Sequence, residues 1–155
     1  MKSFADTAKP RIYPPAYFLF ALGAMLLLHQ NLPLAQWLDW PWNLVGAAFF
    51  LLGFGLSFAG RRRFQLSGAP LRPFAEGPAL VTDGVFRFSR NPMYAGMLIM
   101  LVGMGLGLGT AGPLAVIPPF YFVLRWRFIR VEEAGLERRF GRVYTAYKAR
   151  VRRWL

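Results

Sequence analysis

The chain contains no cysteine and a single histidine, His29. Without cysteine there is no disulfide, no thiol nucleophile and no zinc site built on sulfur. One histidine and no spaced acidic cluster leave too few ligands for a metal, so none is expected. Acidic residues are also scarce: 7 Asp and Glu stand against 19 Lys and Arg, for a net charge of +12. Charge is missing altogether from three long stretches, Ile12 to Leu38, Pro41 to Gly60 and Asn91 to Leu124. With 55% hydrophobic residues, such runs exclude an ordinary soluble domain. They also exclude a nucleic-acid partner, because the basic residues are clustered between apolar blocks rather than spread over one face. The glycines of residues 103–112 lack the Lys-Ser/Thr that ends a phosphate-binding loop. The apolar run after Met1 to Lys9 has no small-residue cleavage site, so it reads as a retained helix rather than a signal peptide.

What is present is a series of membrane-length blocks. A spanning helix needs about 20 mostly apolar residues. The first helix starts at Pro14-Pro15, has its core in Ala16 to Leu28, and brings His29-Gln30-Asn31 to the far interface. Trp37, Trp40 and Trp42 around Asp39 and Pro41 read as an interfacial aromatic belt on a tight turn. The second helix runs from Pro41 to Gly60 and is ended by Arg61-Arg62-Arg63. Its glycines, Gly46, Gly53, Gly55 and Gly60, either form a close-packing stripe or reflect the ordinary tolerance of membrane helices for glycine. Residues 64–90 form a loop rich in Gly and Pro. Asn91 to Leu124 is too long for one span at ~1.5 Å per residue. Gly107, Gly109, Thr110, Gly112 and Pro113 divide it into a helical hairpin, with the third helix over 92–108 and the fourth over 113–130. The fourth helix includes Pro118-Pro119, so a kink or an irregular turn is expected in it. Residues 131–155 form an amphipathic helix with a strongly basic face, interrupted at Gly141.

The fold expected is therefore all-α and integral to a membrane, with about four transmembrane helices and an amphipathic cytoplasmic C-terminal helix. It forms one domain over 1–155: two N-terminal membrane helices in 1–60, a loop in 61–91, and the hairpin and tail in 92–155. Orientation follows from the basic residues. The N-terminal arm, the loop and the tail hold 3, 6 and 10 of the 19 Lys and Arg, and the opposite turns hold none. The positive-inside rule puts both termini in the cytoplasm.

Two features of that cytoplasmic face could carry chemistry. At Arg87 to Tyr94 a basic segment turns into an apolar helix; Asn91 is suited to cap it and Pro92 to open it. A helix start exposes unpaired N–H groups that hold anions. Glu132-Glu133 follows the fourth helix among arginines. A carboxylate there either accepts from hydroxyls or an ammonium group, or pairs with Arg130, Arg138 or Arg139. His29 lies on the other side and reads as structural. Met93, Met97, Met100 and Met104, at helical spacing, either line a pocket or pack against lipid and neighbouring helices.

These residues carry a resemblance. Leu80-Val81-Thr82-Asp83-Gly84-Val85-Phe86-Arg87, then Arg90-Asn91-Pro92-Met93-Tyr94-Ala95-Gly96, then Glu132-Glu133 with Leu136, Phe140-Gly141, Tyr144 and Tyr147 resemble the isoprenylcysteine carboxyl methyltransferase and phospholipid methyltransferase family of membrane enzymes. The resemblance covers about Leu80 to Leu155; the first two helices are similar only in character. It implies binding of S-adenosyl-L-methionine at the cytoplasmic face and methyl transfer to a lipid-borne or hydrophobic acceptor, in a membrane such as a bacterial inner membrane. Carried over by motif, Pro78, Ala79, Leu80, Val81, Phe86, Asn91, Pro92, Met93, Tyr94, Glu132 and Glu133 would line the cofactor pocket. Arg127 or Arg130 would clamp a carboxylate acceptor. The carboxyl-methylating members carry His where this chain has Asn91 and Pro78, which leaves the acceptor open between carboxylate and amine. The acceptor's tail could reach the site between the second and third helices or through the fourth. Two other classes keep the same outline: a membrane reductase of the steroid-reductase type using NADPH, and a non-catalytic membrane scaffold.

Overall fold

The structure is a computed structural model and describes residues 13–67 and 80–155. The basic arm before Tyr13, and Pro78 and Ala79, lie outside the described residues. Helix α1 is Pro14–Asn31, opened by prolines whose fixed φ suits a first turn. A short 3-10 turn, Trp42–Leu44, leads into α2, Val45–Leu66. Helix α3 is Pro92–Leu108, with Gly109 beyond its end at φ 70°. That left-handed conformation is one glycine adopts without strain. A 3-10 turn at Gly112–Val116 precedes α4, Ile117–Val123; a π-helical turn, Leu124–Ile129, follows, and α5 is Arg130–Arg150. All the regular secondary structure of the described residues is helical, apart from an isolated bridge between Gln36 and Thr110.

Helices α2 and α3 are antiparallel and meet backbone to backbone. Gly46, Gly53 and Gly60, seven apart, are the buried residues of α2. A Cβ at Gly53 would lie 2.5 Å from the Gly96 carbonyl oxygen and 2.7 Å from the Met100 nitrogen; one at Gly103 would lie 2.5 Å from the Phe50 nitrogen. Gly46 has the backbone of Gly103 and Gly107 equally close, and Gly60 abuts Met93. Gly55, by contrast, has nothing within 4 Å. Three of the four glycines therefore form a close-packing stripe, and the fourth is merely tolerated. Ser57 adds a 3.0 Å hydrogen bond from its hydroxyl to the Met93 carbonyl.

Helix α1 lies against α3 and α4. Ala21 and Met25 join Tyr94, Leu101, Phe120, Leu124, Phe128 and Ile129 in the main core. Met97 and Met104 pack on it and Met100 is buried, so these methionines serve packing. At the end opposite the Glu pair, His29 Nδ1 lies 2.8 Å from the Thr110 hydroxyl. Backbone bonds from Trp37 to Gly109, Ala111 to Ala35 and Gly112 to Pro33 tie the two far turns together.

Two expectations change. Arg61, Arg62 and Arg63 do not end α2, which continues to Leu66, because arginines are good helix formers and their long stems reach polar surroundings from within a helix. The irregularity of the fourth helix is not a kink at Pro118-Pro119. Those prolines fall in the first turn of α4, where a missing N–H costs nothing, and the defect is the π turn that follows. The helix of the tail follows α4 and the π turn without a loop. Gly141, at φ 47° and ψ −120°, breaks α5 as expected.

Large apolar side chains face outward. Leu19, Phe20, Leu51 and Leu52 are each more than 60% exposed. Trp42–Leu66, 25 residues, is long and apolar enough to cross a membrane, and Pro92–Leu108 is a shorter apolar helix.

Candidate functional site

The segment before α3 is held from three sides. Arg63, at the end of α2, forms a forked ion pair with Asp83, and that hydrogen bond holds the Asp83 carboxyl below the usual range. Gly84, at φ 58°, starts a 3-10 turn over Gly84–Arg87. The turn buries Phe86 against Val81 and the Phe64 ring, 5.3 Å away. Tyr147 of α5 donates its O–H to the Phe86 carbonyl at 2.7 Å.

The start of α3 is held by the C-terminal residues. Asn91 occupies the cap position, but its side chain does not cap the helix. Its Nδ2 donates to the Arg153 carbonyl at 3.0 Å, and the Arg90 N–H donates to the Arg152 carbonyl at 2.9 Å. That bond turns the Asn91 side chain toward the tail, and its oxygen accepts from no N–H of α3. The Ser89 hydroxyl is fully buried and accepts from the Asn91 N–H at 3.1 Å.

The two adjacent glutamates do different things. Glu133 is buried; Arg153 grips it through Nε at 3.1 Å and Nη2 at 2.6 Å, and Arg90 Nη1 lies 3.2 Å away. The Arg90 contact is an ion pair by distance but is not aligned as a hydrogen bond, and Arg90 Nε and Nη1 are buried without a hydrogen-bond partner. Glu132 instead accepts a 2.7 Å hydrogen bond from the Tyr94 hydroxyl. Glu132 is half-buried. Burial pushes its carboxyl up to about 7; the Tyr94 bond opposes the shift and the charge on Glu133 adds to it. Burial likewise lifts Tyr144 and Tyr147 to about 12, so both hydroxyls are protonated at neutral pH.

Tyr94 and Glu132 are thus directly joined, with Asn91, Pro92 and Met93 one turn away on α3 and Glu133 beside them on α5. Leu80 is half-buried, and Val81 and Phe86 lie in the neighbouring cluster under α2. Arg127 and Arg130 are exposed, and no hydrogen bond joins either to the Tyr94–Glu132 pair. Ser89, Tyr144, Tyr147 and Arg153 complete the frame. Sequence reasoning did not give Ser89 or Arg153 a role. The bonds from Ser89 and Asn91 to the Arg153 carbonyl span 64 and 62 residues and leave no local signal. Among the described residues no group of His, Asp or Glu could hold a metal.

The sequence profile of the phospholipid methyltransferase family matches residues 42–143. The chain belongs to that family. The phospholipid methyltransferase match is joined by plant relatives. Protein-S-isoprenylcysteine O-methyltransferase B of Arabidopsis thaliana is 41% identical over 76 residues, covering 46% of this chain and 36% of that protein. A probable protein-S-isoprenylcysteine O-methyltransferase of Oryza sativa subsp. indica is 42% identical over 76 residues, covering 46% of this chain and 38% of that protein. The aligned part of the chain thus spans little more than a third of these plant relatives. An uncharacterized protein of Haemophilus influenzae is 38% identical over 63 residues, which is 41% of this chain and the whole of that protein. No solved structure matches the chain significantly. This kinship lies with methyltransferases and gives the reductase reading no support.

Proposed function

We propose that this protein is a membrane methyltransferase that uses S-adenosyl-L-methionine and methylates a lipid-borne acceptor. The observation that carries the reading is the Tyr94–Glu132 pair. It joins the start of α3 to the helix after the hairpin, beside a buried Arg90 that keeps donors to spare. S-adenosyl-L-methionine carries its ammonium and carboxylate together at its amino-acid end, and its hydroxyls on the ribose. The residues fit those groups. The Glu132 carboxylate accepts from an ammonium or from hydroxyls, and the start of α3, with Arg90, favours a carboxylate. Phe86, Tyr94 and Met93 offer ring and thioether surface to the adenine and the sulfonium. Leu80 and Val81, with Pro78 and Ala79, belong to the same proposed lining, and Asn91 and Glu133 support it from behind.

The bound donor supplies a methyl group activated by positive sulfur. The chain's own work is positioning and exclusion of water. Glu132 orients one end of the donor; Tyr94 holds Glu132; Arg90, Glu133 and Arg153 fix the segment that opens α3. Arg127 and Arg130 are exposed along the helix that leads to Glu132, and in this reading they would meet an acidic acceptor at the membrane face. The outward Leu and Phe of α1 and α2 would face lipid, with the basic residues and both termini on the cytoplasmic side.

The test is methyl transfer from labelled S-adenosyl-L-methionine into extracted lipids, with Glu132→Gln as control. Label released by mild alkali as volatile methanol marks a carboxylate methyl ester, and label kept in a non-volatile product marks an amine. Absence of label in every lipid fraction, with S-adenosylhomocysteine failing to bind, would overturn the proposal.

A further inference from the structure

The π turn Leu124–Ile129 lies in an otherwise regular helix, three residues before Glu132. An α-helix turns about 100° per residue, whereas a π-helix turns about 82°. Over the five steps of this turn the difference is about 90°, close to one α-helical residue. Measured from buried Leu124, the π turn brings Phe128 to about −30°, Ile129 to about +50° and Glu132 to about −10°. It sends Arg127 and Val131 to about −110°. The burial agrees: Leu124, Phe128 and Ile129 have no exposure, while Trp126 and Arg127 are exposed. A regular α-helix through the same residues would put Val131 at about −20° and Glu132 at about +80°. Val131 would then face Tyr94, and Glu132 would point along the flank.

We infer that the π turn holds one residue more than the helix phase requires, and that this extra residue is what aims Glu132 at Tyr94 and turns Arg127 out. It is a positioning device for the donor-binding carboxylate, and it rests on the donor reading above only for its consequence in binding. Trp126 is the residue to regard as extra. It is 55% exposed and its main contact is a stack on Phe122, 4.8 Å between ring centres. Removing it and closing the turn to α leaves Phe128, Ile129 and Glu132 within about 30° of their present directions.

The chain has no cysteine, so paired cysteines can report the phase directly. Tyr94→Cys with Glu132→Cys should join through a short bifunctional thiol reagent, and Tyr94→Cys with Val131→Cys should not. Deleting Trp126 should preserve that pattern; inserting an alanine after Trp126 should abolish the 94–132 link. In the otherwise intact chain, deletion of Trp126 should keep S-adenosylhomocysteine affinity within about threefold, and the insertion should weaken it by more than about tenfold. The deletion should also keep any dependence of binding on pH, which a helix that had merely lost stability would not restore. Linking of 94 to 131 instead of 132, or loss of the 94–132 link in the Trp126 deletion, would overturn the inference. If the links behave as stated but S-adenosylhomocysteine binds no variant, including the native chain, the phase device stands and the donor reading falls.

Discussion

Gly53→Ala is the sharpest test of how α2 and α3 are held. In an exposed helix interior, replacing glycine by alanine stabilises by about 1 kcal/mol, through backbone entropy. At Gly53 the added methyl would lie 2.5 Å from the Gly96 carbonyl oxygen and 2.7 Å from the Met100 nitrogen. An ordinary contact of this kind needs about 3.4 Å, so the helices must part by most of an ångström. Both obstructing atoms are backbone, and neither can rotate aside. Overpacking of this sort costs about 1–3 kcal/mol, and a rigid backbone on both sides puts it at the upper end. The net expectation is a loss of about 1–2 kcal/mol after the helix-propensity gain. Gly55→Ala, two residues on and facing open space, is the matched control and should be neutral or slightly stabilising. Thermal unfolding in one detergent reads both, at about 2–4 °C for each kcal/mol in a chain of this size. Equal melting temperatures for the two variants would refute the backbone-to-backbone seam.

Glu132 should give binding and stability opposite slopes with pH. Its folded pKa is about 7 against an ordinary 4.5, so its stabilising contribution is complete below pH 4.5 and is lost as pH rises through 7. An ammonium-bearing ligand needs the charged form, so S-adenosylhomocysteine affinity should rise between pH 6 and 8, and Glu132→Gln should flatten the calorimetric profile. Glu133→Gln should leave Arg90 buried without its ion partner. A loss of about 3 kcal/mol is expected in thermal unfolding, the low end of the range for such breaks because Arg153 is partly exposed. His29→Ala should cost about 1–2 kcal/mol by orphaning the buried Thr110 hydroxyl, with donor affinity unchanged by calorimetry.

Much of this architecture could be read from residue order alone. The bounds of α3, opened by Pro92 and closed by Gly109, were legible because both residues act on their own backbone. The interruption at Gly141 was legible for the same reason. The glycine stripe of α2 was legible only as an alternative, since spacing cannot tell which glycine meets a neighbour: Gly53 and Gly55 look equivalent until α3 lies across one of them. The π turn left no mark in composition. It answers to where Phe128 and Ile129 find partners, and those partners lie on α1 and α3. The pairing of Tyr94 with Glu132 spans 38 residues and was anticipated only as a shared face. That Asn91 would give its amide to Arg153 was hidden for a like reason: local rules make asparagine a good cap, and only the return of the tail offers it something else.

The seam between α2 and α3 also restricts traffic. Along Gly46, Gly53 and Gly60 there is no room for a methyl group, let alone an acyl or prenyl chain. Where Gly46 and Gly53 meet the backbone of α3, no chain could pass between these two helices. A long-tailed acceptor would have to approach from the other flank, where the exposed rings of Phe122 and Trp126 stand on the helix that leads to Glu132. On the proposed function, the glycines that bind the scaffold together would thereby decide which wall of the protein is closed to the acceptor.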